Sequence, residues 1–451
     1  MTQVLDEARK ERLFWASCVA LIATSIAFGV ITSSMGDFQT MFGLTKVQAG
    51  WVGGASLGGF AIAIILLGFF IEKFGIAVSI KLAFVCHILG VVLMMYATGF
   101  TQLMAGATII ALGNGCVEAG CNPLVATIYS DNKTTRLNRF HVFWPVGIII
   151  GGLFGFWVSN AAAGVAATGA EWSLFGLSVM QAKLGIVLIP TLIYGYMFLG
   201  QEIPQTERIQ SRVPDEEVKA SIASPLFILL LCCMGLTATL ELGPGRWMDG
   251  IMTPVFLDMG EGTTKAGAGI LVLVYGSGVM AVLRYFAGGF VHRFSPTGLL
   301  FGSAVLGGVG LFAMTYAENF GSIFLTATVF YAGICFFWPT MLGFVSERIP
   351  NSGAMGLCLM GGAGMLVVGY AAAPAIGAIQ EYYINQFNAA PVEGMTAAAY
   401  GGKMAFRWVA ALAIPLALVF FNLNKRYGNV ALPAVSRSET SSEQREVHNA
   451  L

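Results

Sequence analysis

The sequence predicts an all-α polytopic membrane protein, with twelve transmembrane helices in two pseudo-symmetric six-helix bundles. Three observations predict it. Charged residues are only 11% of the 451, and 56% are hydrophobic, with a mean hydropathy of +0.75; a soluble domain is about 25% charged. The apolar residues come in runs long enough for a helix of about 20 residues, the length that crosses a bilayer core. These runs fall into two sets of six, parted by the most polar interior stretch of the chain. A closed β-barrel would instead show alternating segments of about ten residues. The 24 Lys+Arg balance 24 Asp+Glu, so no basic excess exists to hold nucleic acid.

The first six spans are read at Leu13–Met35, Val47–Ile71, Ala77–Ala97, Leu103–Thr127, Phe140–Ala162 and Val179–Leu199. Met1 to Arg12 is charged and runs straight into span 1 without a cleavage pattern, so that span is expected to be retained. The second six are read at Pro225–Met248, Ala266–Val291, Thr297–Ala317, Ile323–Ser346, Gly353–Ile379 and Met404–Asn424. The organisation expected is a first bundle over 1–200, a solvated linker over 201–224, a second bundle over 225–424 and a disordered tail over 425–451. The linker carries Glu202, Glu207, Arg208, Arg212, Asp215, Glu216, Glu217 and Lys219, and the tail is Ser/Glu-rich with no apolar period.

Lys and Arg near span ends set the orientation. With the N-terminus inside, one side collects Arg9, Lys10, Arg12, Lys73, Lys133, Arg136, Arg139, Arg208, Arg212, Lys219, Arg293, Arg348, Lys425 and Arg426, and the other keeps Lys46, Lys183, Lys265 and Lys403. Both termini are therefore expected in the cytoplasm of a multi-pass plasma-membrane protein, in a bacterial inner membrane, working as a monomer in the lipid bilayer. The eight cysteines all lie in apolar runs without a metal-ligand spacing, so neither a disulfide framework, a metal nor a cofactor is expected.

The halves echo each other. Gly68-Phe-Phe-Ile-Glu72-Lys73-Phe-Gly75 follows span 2, and Gly288-Gly-Phe-Val-His292-Arg293-Phe-Ser295 follows span 8. Asn122-Pro123 in span 4 is echoed by Trp338-Pro339 in span 10. The loop resembles the G-x-x-x-D-R-x-G signature of the major facilitator superfamily, whose fold is a parallel duplication of six helices. That resemblance assigns Gly68, Glu72, Lys73, Gly75 and Arg293 to a gating loop. Small residues four apart, as in Gly54–Gly58, Gly147–Gly151 and Gly151–Gly155, are expected to let helix backbones approach in lipid.

Ionisable groups inside spans are functional suspects, because hydrocarbon makes them costly. Glu118 lies in span 4 and Glu241 in span 7, where Pro244 between Gly243 and Gly245 is expected to break or bend the helix. Burial disfavours the charged form of a carboxyl, so each can load a proton from one side and release it to the other. Arg284 and Arg407 sit nearer span ends and are expected to snorkel in structural roles. Asp37, Asp249 and Asp258 are expected in solvated outer loops.

Amides and indoles complete the candidate site. Asn114 and Asn122 share span 4 with Glu118, His141 and Trp144 open span 5, Trp247 lies in span 7 and Trp338 in span 10. Asn122 is one turn from Glu118, so both can face one cavity. Amides bond sugar hydroxyls in pairs and indoles cover the apolar face of a pyranose, whereas an inorganic anion calls for convergent Arg or Lys. The substrate-binding set is thus Asn114, Glu118, Asn122, His141, Trp144, Glu241, Trp247 and Trp338, with Glu118 and Glu241 coupling the proton. No H-E-x-x-H is present, and the one G-x-S-x-G match, Gly54-Ala-Ser-Leu-Gly58, lies inside a long apolar run and not on a nucleophile elbow, so an enzyme is not expected.

The run Gly113-Asn-Gly-Cys-Val-Glu118-Ala-Gly-Cys-Asn122-Pro123 resembles the E-x-x-x-N-P segment of the fucose:proton symporter family. Arg136-Leu137-Asn138, the Phe42–Gly50 loop and Glu241 with Gly245 are similar to further segments of that family. The resemblance implies a coupling and sugar-binding role for Glu118, with Asn122 beside it, and sugar contacts at His141 and Trp144. Where the fucose transporter has a second acid in span 1, this chain has Thr32. The function expected is secondary active symport of a neutral hexose or deoxyhexose with a proton, or with sodium in its place, by alternating access. A proton-antiport exporter of drugs or metabolites is the alternative on the same fold, and a transporter-like membrane sensor is a third reading.

Overall fold

The computed structural model describes residues 6–44, 46–258 and 269–428. Among them, apart from a single bridge between Leu174 and Leu177, the chain is helices and their connections. The first half is built from α1 Glu7–Ser33, α2 Met35–Phe42, α3 Lys46–Phe74, α4 Ile76–Met95, α5 Phe100–Ile128, α6 Lys133–Phe140, α7 Phe143–Ala166, α8 Val179–Gly185 and α9 Leu188–Phe198. Two short helices follow, α10 Glu207–Gln210 and α11 Asp215–Ile222. The second half holds α12 Pro225–Asp258, α13 Ile270–Tyr285, α14 Ala287–Met314, α15 Phe320–Ile334, α16 Phe337–Arg348, α17 Gly353–Leu366, α18 Ala373–Ala389, α19 Ala397–Ala411 and α20 Ala413–Tyr427.

Eleven stretches are long and apolar enough to cross a membrane, and the 16-residue α13 supplies the twelfth span. Spans 6, 10, 11 and 12 are each two helices in series, as α8–α9, α15–α16, α17–α18 and α19–α20. Between α17 and α18 the backbone widens into a π turn over Val367–Ala372. Such a turn marks a local irregularity inside a helix, and here it faces α3, where a Cβ on Gly369 would meet Leu57.

Three expectations change. Pro244 does not break its helix, because α12 runs unbroken through both Pro244 and Pro254. The linker is not merely solvated: Thr206, Val213 and Val218 are buried, and α10 and α11 pack against the bundle. Helix α20 continues to Tyr427, past the expected end at Asn424; the expected disordered tail beyond 428 lies outside the described residues, as does Lys265.

The internal duplication is visible in the backbone. Gly75 has φ 82° and ψ 157°, and its counterpart Ser295 has φ 59° and ψ 160°. Both motif copies thus close on a residue in a region that is essentially reserved for glycine. Gly58, Gly147, Gly151 and Gly155 pack against neighbouring helices as expected, whereas Gly54 faces open space. A Cβ on Gly151 of α7 would lie 2.8 Å from the Ile26 carbonyl oxygen of α1.

The two halves meet along α3 with α17, α7 with α13 and α6 with α16. At the end that carries the linker, Thr134 donates its N–H and hydroxyl to Glu347 Oε1 at 3.0 and 2.7 Å. Asn138 Nδ2 donates to Thr340 Oγ1 at 3.3 Å, and Lys133 Nζ to the Ser346 carbonyl at 3.4 Å. The linker closes over these contacts. Glu207 pairs with Lys133 at 2.6 Å, and Arg208 pairs with both Glu72 and Asp215. Glu72 of the loop motif is therefore part of a buried clasp, whereas Lys73 and Arg293 lie over their neighbours Phe74 and Phe294. Gly68 touches α17, with a built Cβ 2.6 Å from Cys358 Cβ.

Candidate translocation site

Helix α5 is held close to its neighbours, and that closeness positions its acid. A Cβ on Gly115 would lie 2.6 Å from Ala63 Cβ and collide with the Phe60 carbonyl of α3. Pro123 lacks an N–H, so the Ala119 carbonyl one turn earlier loses its helical donor. The Cys358 thiol of α17 sits 3.8 Å from that oxygen. Beside this point Asn122 Nδ2 donates to Glu118 Oε2, and Asn122 Oδ1 lies 3.0 Å from His141 Nε2. Because an amide oxygen only accepts, Nε2 is the protonated nitrogen of that imidazole. Glu118, Asn122 and His141 are all buried.

The second half answers with a buried ion pair. Arg284, 1% exposed, donates Nη2 to Glu241 Oε1 at 2.7 Å and Nε to the Cys335 carbonyl at 2.5 Å. Its Nη1 reaches across to the His141 carbonyl of the first half at 3.1 Å. Glu241 Oε2 accepts from the Trp338 N–H at 3.3 Å. The snorkelling expected of Arg284 is thus corrected: its side chain turns inward, because Glu241 and two carbonyls satisfy it there. Arg407 keeps a peripheral place, with Nε on Thr315 Oγ1 at 3.0 Å and its guanidinium over Tyr316.

Between these groups lies a closed cavity of about 10 Å³, lined by Glu118, His141, Trp144, Glu241, Arg284 and Trp338 with Leu242 and Met365. A second compartment of about 30 Å³ adjoins it and shares Trp144, Glu241 and Leu242, adding Phe28, Gly245 and Tyr331 among others. The Trp338 indole rests in a cradle of α17, where a Cβ on Gly364 would come 2.8 Å from its ring. Trp338 Nε1 and the Tyr331 hydroxyl are both buried without a hydrogen-bond partner among the described residues.

Five of the eight expected substrate residues line the first cavity, and Asn122 braces two of them. The other two point elsewhere. Asn114 Oδ1 is engaged by His87 Nε2 at 2.9 Å, whose Nδ1 meets the Tyr194 hydroxyl at 3.1 Å. Trp247 Nε1 donates to the Ala373 carbonyl at 3.2 Å. Of the outer acids, Asp37 lies in helix α2 rather than in a loop and pairs at 2.5 Å with the fully buried Lys183. Asp258 accepts from the Thr396 N–H and hydroxyl, and the Asp249 side chain lies outside the described residues.

Sequence reasoning passed over Arg246. It lies inside the span Pro225–Met248, on the side of the cavity away from the linker. Its Nη1 donates to Thr32 Oγ1 at 3.1 Å and its Nη2 to Ser56 Oγ at 2.9 Å, so it bridges the halves. Its guanidinium stacks 3.8 Å from the Phe28 ring centroid. A charge within an apolar run was the available signal.

Comparison with known proteins identifies the family and the fold. Residues 13–378 match the family model of the Major Facilitator Superfamily. The L-fucose-proton symporter of Escherichia coli (strain K12) is 30% identical over 145 residues, 30% of this chain and 33% of that protein; the chain thus spans about a third of the length of the curated relatives it matches. The structure of the proton:xylose symporter XylE bound to 6-bromo-6-deoxy-D-glucose superposes with a TM-score of 0.71 at 14% identity, covering 93% of this chain and 96% of that one. The transporter FucP in the outward conformation gives 0.63 at 18% identity, covering 90% and 98%. At those identities the two structures speak for the fold alone. The chain is a multi-pass membrane protein that belongs to the Major Facilitator Superfamily.

Proposed function

We propose that this transporter carries out proton-coupled uptake of a sugar of the hexose or deoxyhexose class, by alternating access of its two halves about the closed cavity. One observation carries the reading: the Glu118–Asn122–His141 chain of the first half faces the Glu241–Arg284 pair of the second across a cavity walled by two indoles. The likeness to the E. coli L-fucose-proton symporter supports it. Glu118, whose oxygens accept only from Asn122 among the described residues, is the proton carrier. Glu241 is held by Arg284 and the Trp338 N–H, and it acts by tying the halves together through the Arg284 bond to the His141 carbonyl.

In the proposed cycle the halves part on one side, and the solute enters between Trp144 and Trp338. Their faces cover the ring, and the unpartnered Trp338 Nε1 donates to a hydroxyl. A proton on Glu118 removes a buried negative charge, which permits closure. Opening on the other side rehydrates Glu118 and releases the proton with the solute. Both termini and the linker lie on the cytoplasmic side of a plasma membrane in this reading, and the monomer is the working unit. The expectation of a neutral sugar rested on the amides and indoles of the site; Arg284 also lines the cavity, and Arg246 follows Gly245 of the second compartment. The test is Glu118→Gln in sealed vesicles. Retained counterflow with lost accumulation is expected, and uphill accumulation by the variant refutes the coupling role.

A further inference from the structure

The three buried lysine and arginine residues among the described residues each face a carboxylate: Lys133 meets Glu207, Lys183 meets Asp37 and Arg284 meets Glu241. Arg246 does not. No ion pair reaches it among the described residues, its two terminal nitrogens bond hydroxyls of Thr32 and Ser56, and its enclosed Nε has no partner. Hydroxyl oxygens accept hydrogen bonds but cancel no charge, and the Phe28 face contributes only a quadrupole. Arg407 also lacks a carboxylate, but it sits against Thr315 at the end of α14, where unpaired helix carbonyls carry partial negative charge. Among the described residues Arg246 has no such compensation, although it lies within an apolar span.

The second compartment lies next to Arg246. Phe28, which carries the guanidinium on its ring, and Gly245, the preceding residue, both line the second compartment, as do Trp144 and Glu241 of the sugar cavity. A solute whose ring lies against Trp144 therefore extends toward Arg246. A guanidinium takes a carboxylate through two parallel N–H donors, and the unused Nε with one terminal nitrogen forms such a fork.

We infer that Arg246 is a docking group for a carboxylate on the transported solute, so that the sugar is an acidic one, of the hexuronate type. This rests on the sugar-transport reading and sharpens its substrate class. The solute anion and the proton on Glu118 then cross as a neutral pair.

The test is thermal stabilisation of the purified full chain by D-galacturonate and D-glucuronate, D-galactose and L-fucose, and an aliphatic dicarboxylate. Wild type is compared with R246K, R246Q and the double variant T32V/S56A. The double variant removes both hydroxyl contacts of Arg246 and keeps its charge. The expected result is stabilisation by a hexuronate at concentrations about ten-fold below those needed for either neutral sugar. R246Q abolishes that preference, and R246K and T32V/S56A retain it. Equal response to neutral and acidic sugars, or a preference that survives R246Q, overturns the inference and leaves sugar transport standing. Loss of the preference in T32V/S56A as in R246Q overturns it too, because Arg246 then acts only as a bridge between the halves. Stabilisation by the dicarboxylate alone, lost in R246Q, supports the carboxylate dock and refutes the sugar. Silence of a well-folded wild type toward every acid overturns the dock.

Discussion

Replacing Arg284 by Met strips three hydrogen bonds from the centre of the molecule at once. Glu241 keeps only the Trp338 N–H on Oε2, and the carbonyls of Cys335 and His141 lose their donor. Removing one partner of a buried pair costs about 3–5 kcal/mol, because the other charge stays buried without compensation. Each orphaned carbonyl adds about 1–3 kcal/mol, but proton uptake by Glu241 caps the total, so about 4 kcal/mol is expected. Glu241→Leu alone leaves the guanidinium its two carbonyls and should cost a similar amount. The double variant removes both charges, and its cost should fall at least about 2 kcal/mol below the sum of the singles, since contacting residues couple by about 0.5–3 kcal/mol. Denaturant unfolding in mixed micelles, followed by tryptophan fluorescence, measures all four proteins. Additivity within about 0.5 kcal/mol would refute the claim that these two residues form one electrostatic unit.

Three more outcomes follow from the packing. Gly115→Ala forces a methyl group against Phe60 and Ala63 and should cost about 1–3 kcal/mol; Gly164→Ala, in open space on α7, should be neutral or stabilising, and equal effects on unfolding would refute the packing account. Gly75→Ala puts a side chain at φ 82° and should lose about 1–3 kcal/mol, whereas Gly54→Ala, with nothing within 4 Å of its Cβ, should not. Glu207→Gln with Arg208→Gln dissolves the linker clasp on Lys133 and Glu72; a cysteine placed at Ala126, which lines the compartment beneath it, should then react faster with maleimide, and an unchanged rate would show that the linker does not guard that end.

The spans were legible because hydrocarbon imposes their length and apolarity whatever the partners are. The duplication was legible because two loops repeat a residue plan, and the shared left-handed φ at Gly75 and Ser295 is its backbone expression. The depth of a charge along a helix could also be read, which is how Glu118 and Glu241 were found. What the sequence does not carry is which way a side chain turns. Residues four apart on a helix drift by about 40°, so the stripe Asn114–Glu118–Asn122 rotates from His87 of α4 toward His141. Trp247, six residues past Glu241, is turned about 240° from it and meets Ala373 instead. Arg284 was misplaced for a related reason: its nearness to a span end permitted snorkelling, and only the tertiary position of Glu241 and the Cys335 carbonyl turns it inward. Pro244 does not end its helix, because a helix packed in protein can carry a proline unbroken. The linker was misread because its ion-pair partners, Glu72 and Lys133, lie far away in the chain.

The two ends of the closed cavity are held by unequal bonds, and that inequality makes a prediction. At the linker end the ion pairs of Arg208 and Lys133 hold the linker over the seam, and Thr134, Asn138 and Lys133 bond directly across to the second half. At the far end Arg246 holds α1 and α3 through two neutral hydroxyls. An ion pair adds charge–charge attraction that a bond from a guanidinium to a hydroxyl lacks, so the far end should be the easier one to open. Thr32→Asp would place a carboxylate where the Thr32 hydroxyl now meets Arg246, converting the weak bridge into an ion pair. The far end should then open less often, and transport should slow even with saturating solute. A cysteine at Ile148, which lines the second compartment, reports that opening through its reaction with a membrane-impermeant maleimide. We expect the rate to fall about ten-fold in Thr32→Asp, since about 1.4 kcal/mol is a factor of ten, and to recover when Arg246→Gln is added. An unchanged rate in the single variant, or no recovery in the double, would mean that the Arg246 bridge does not control that end.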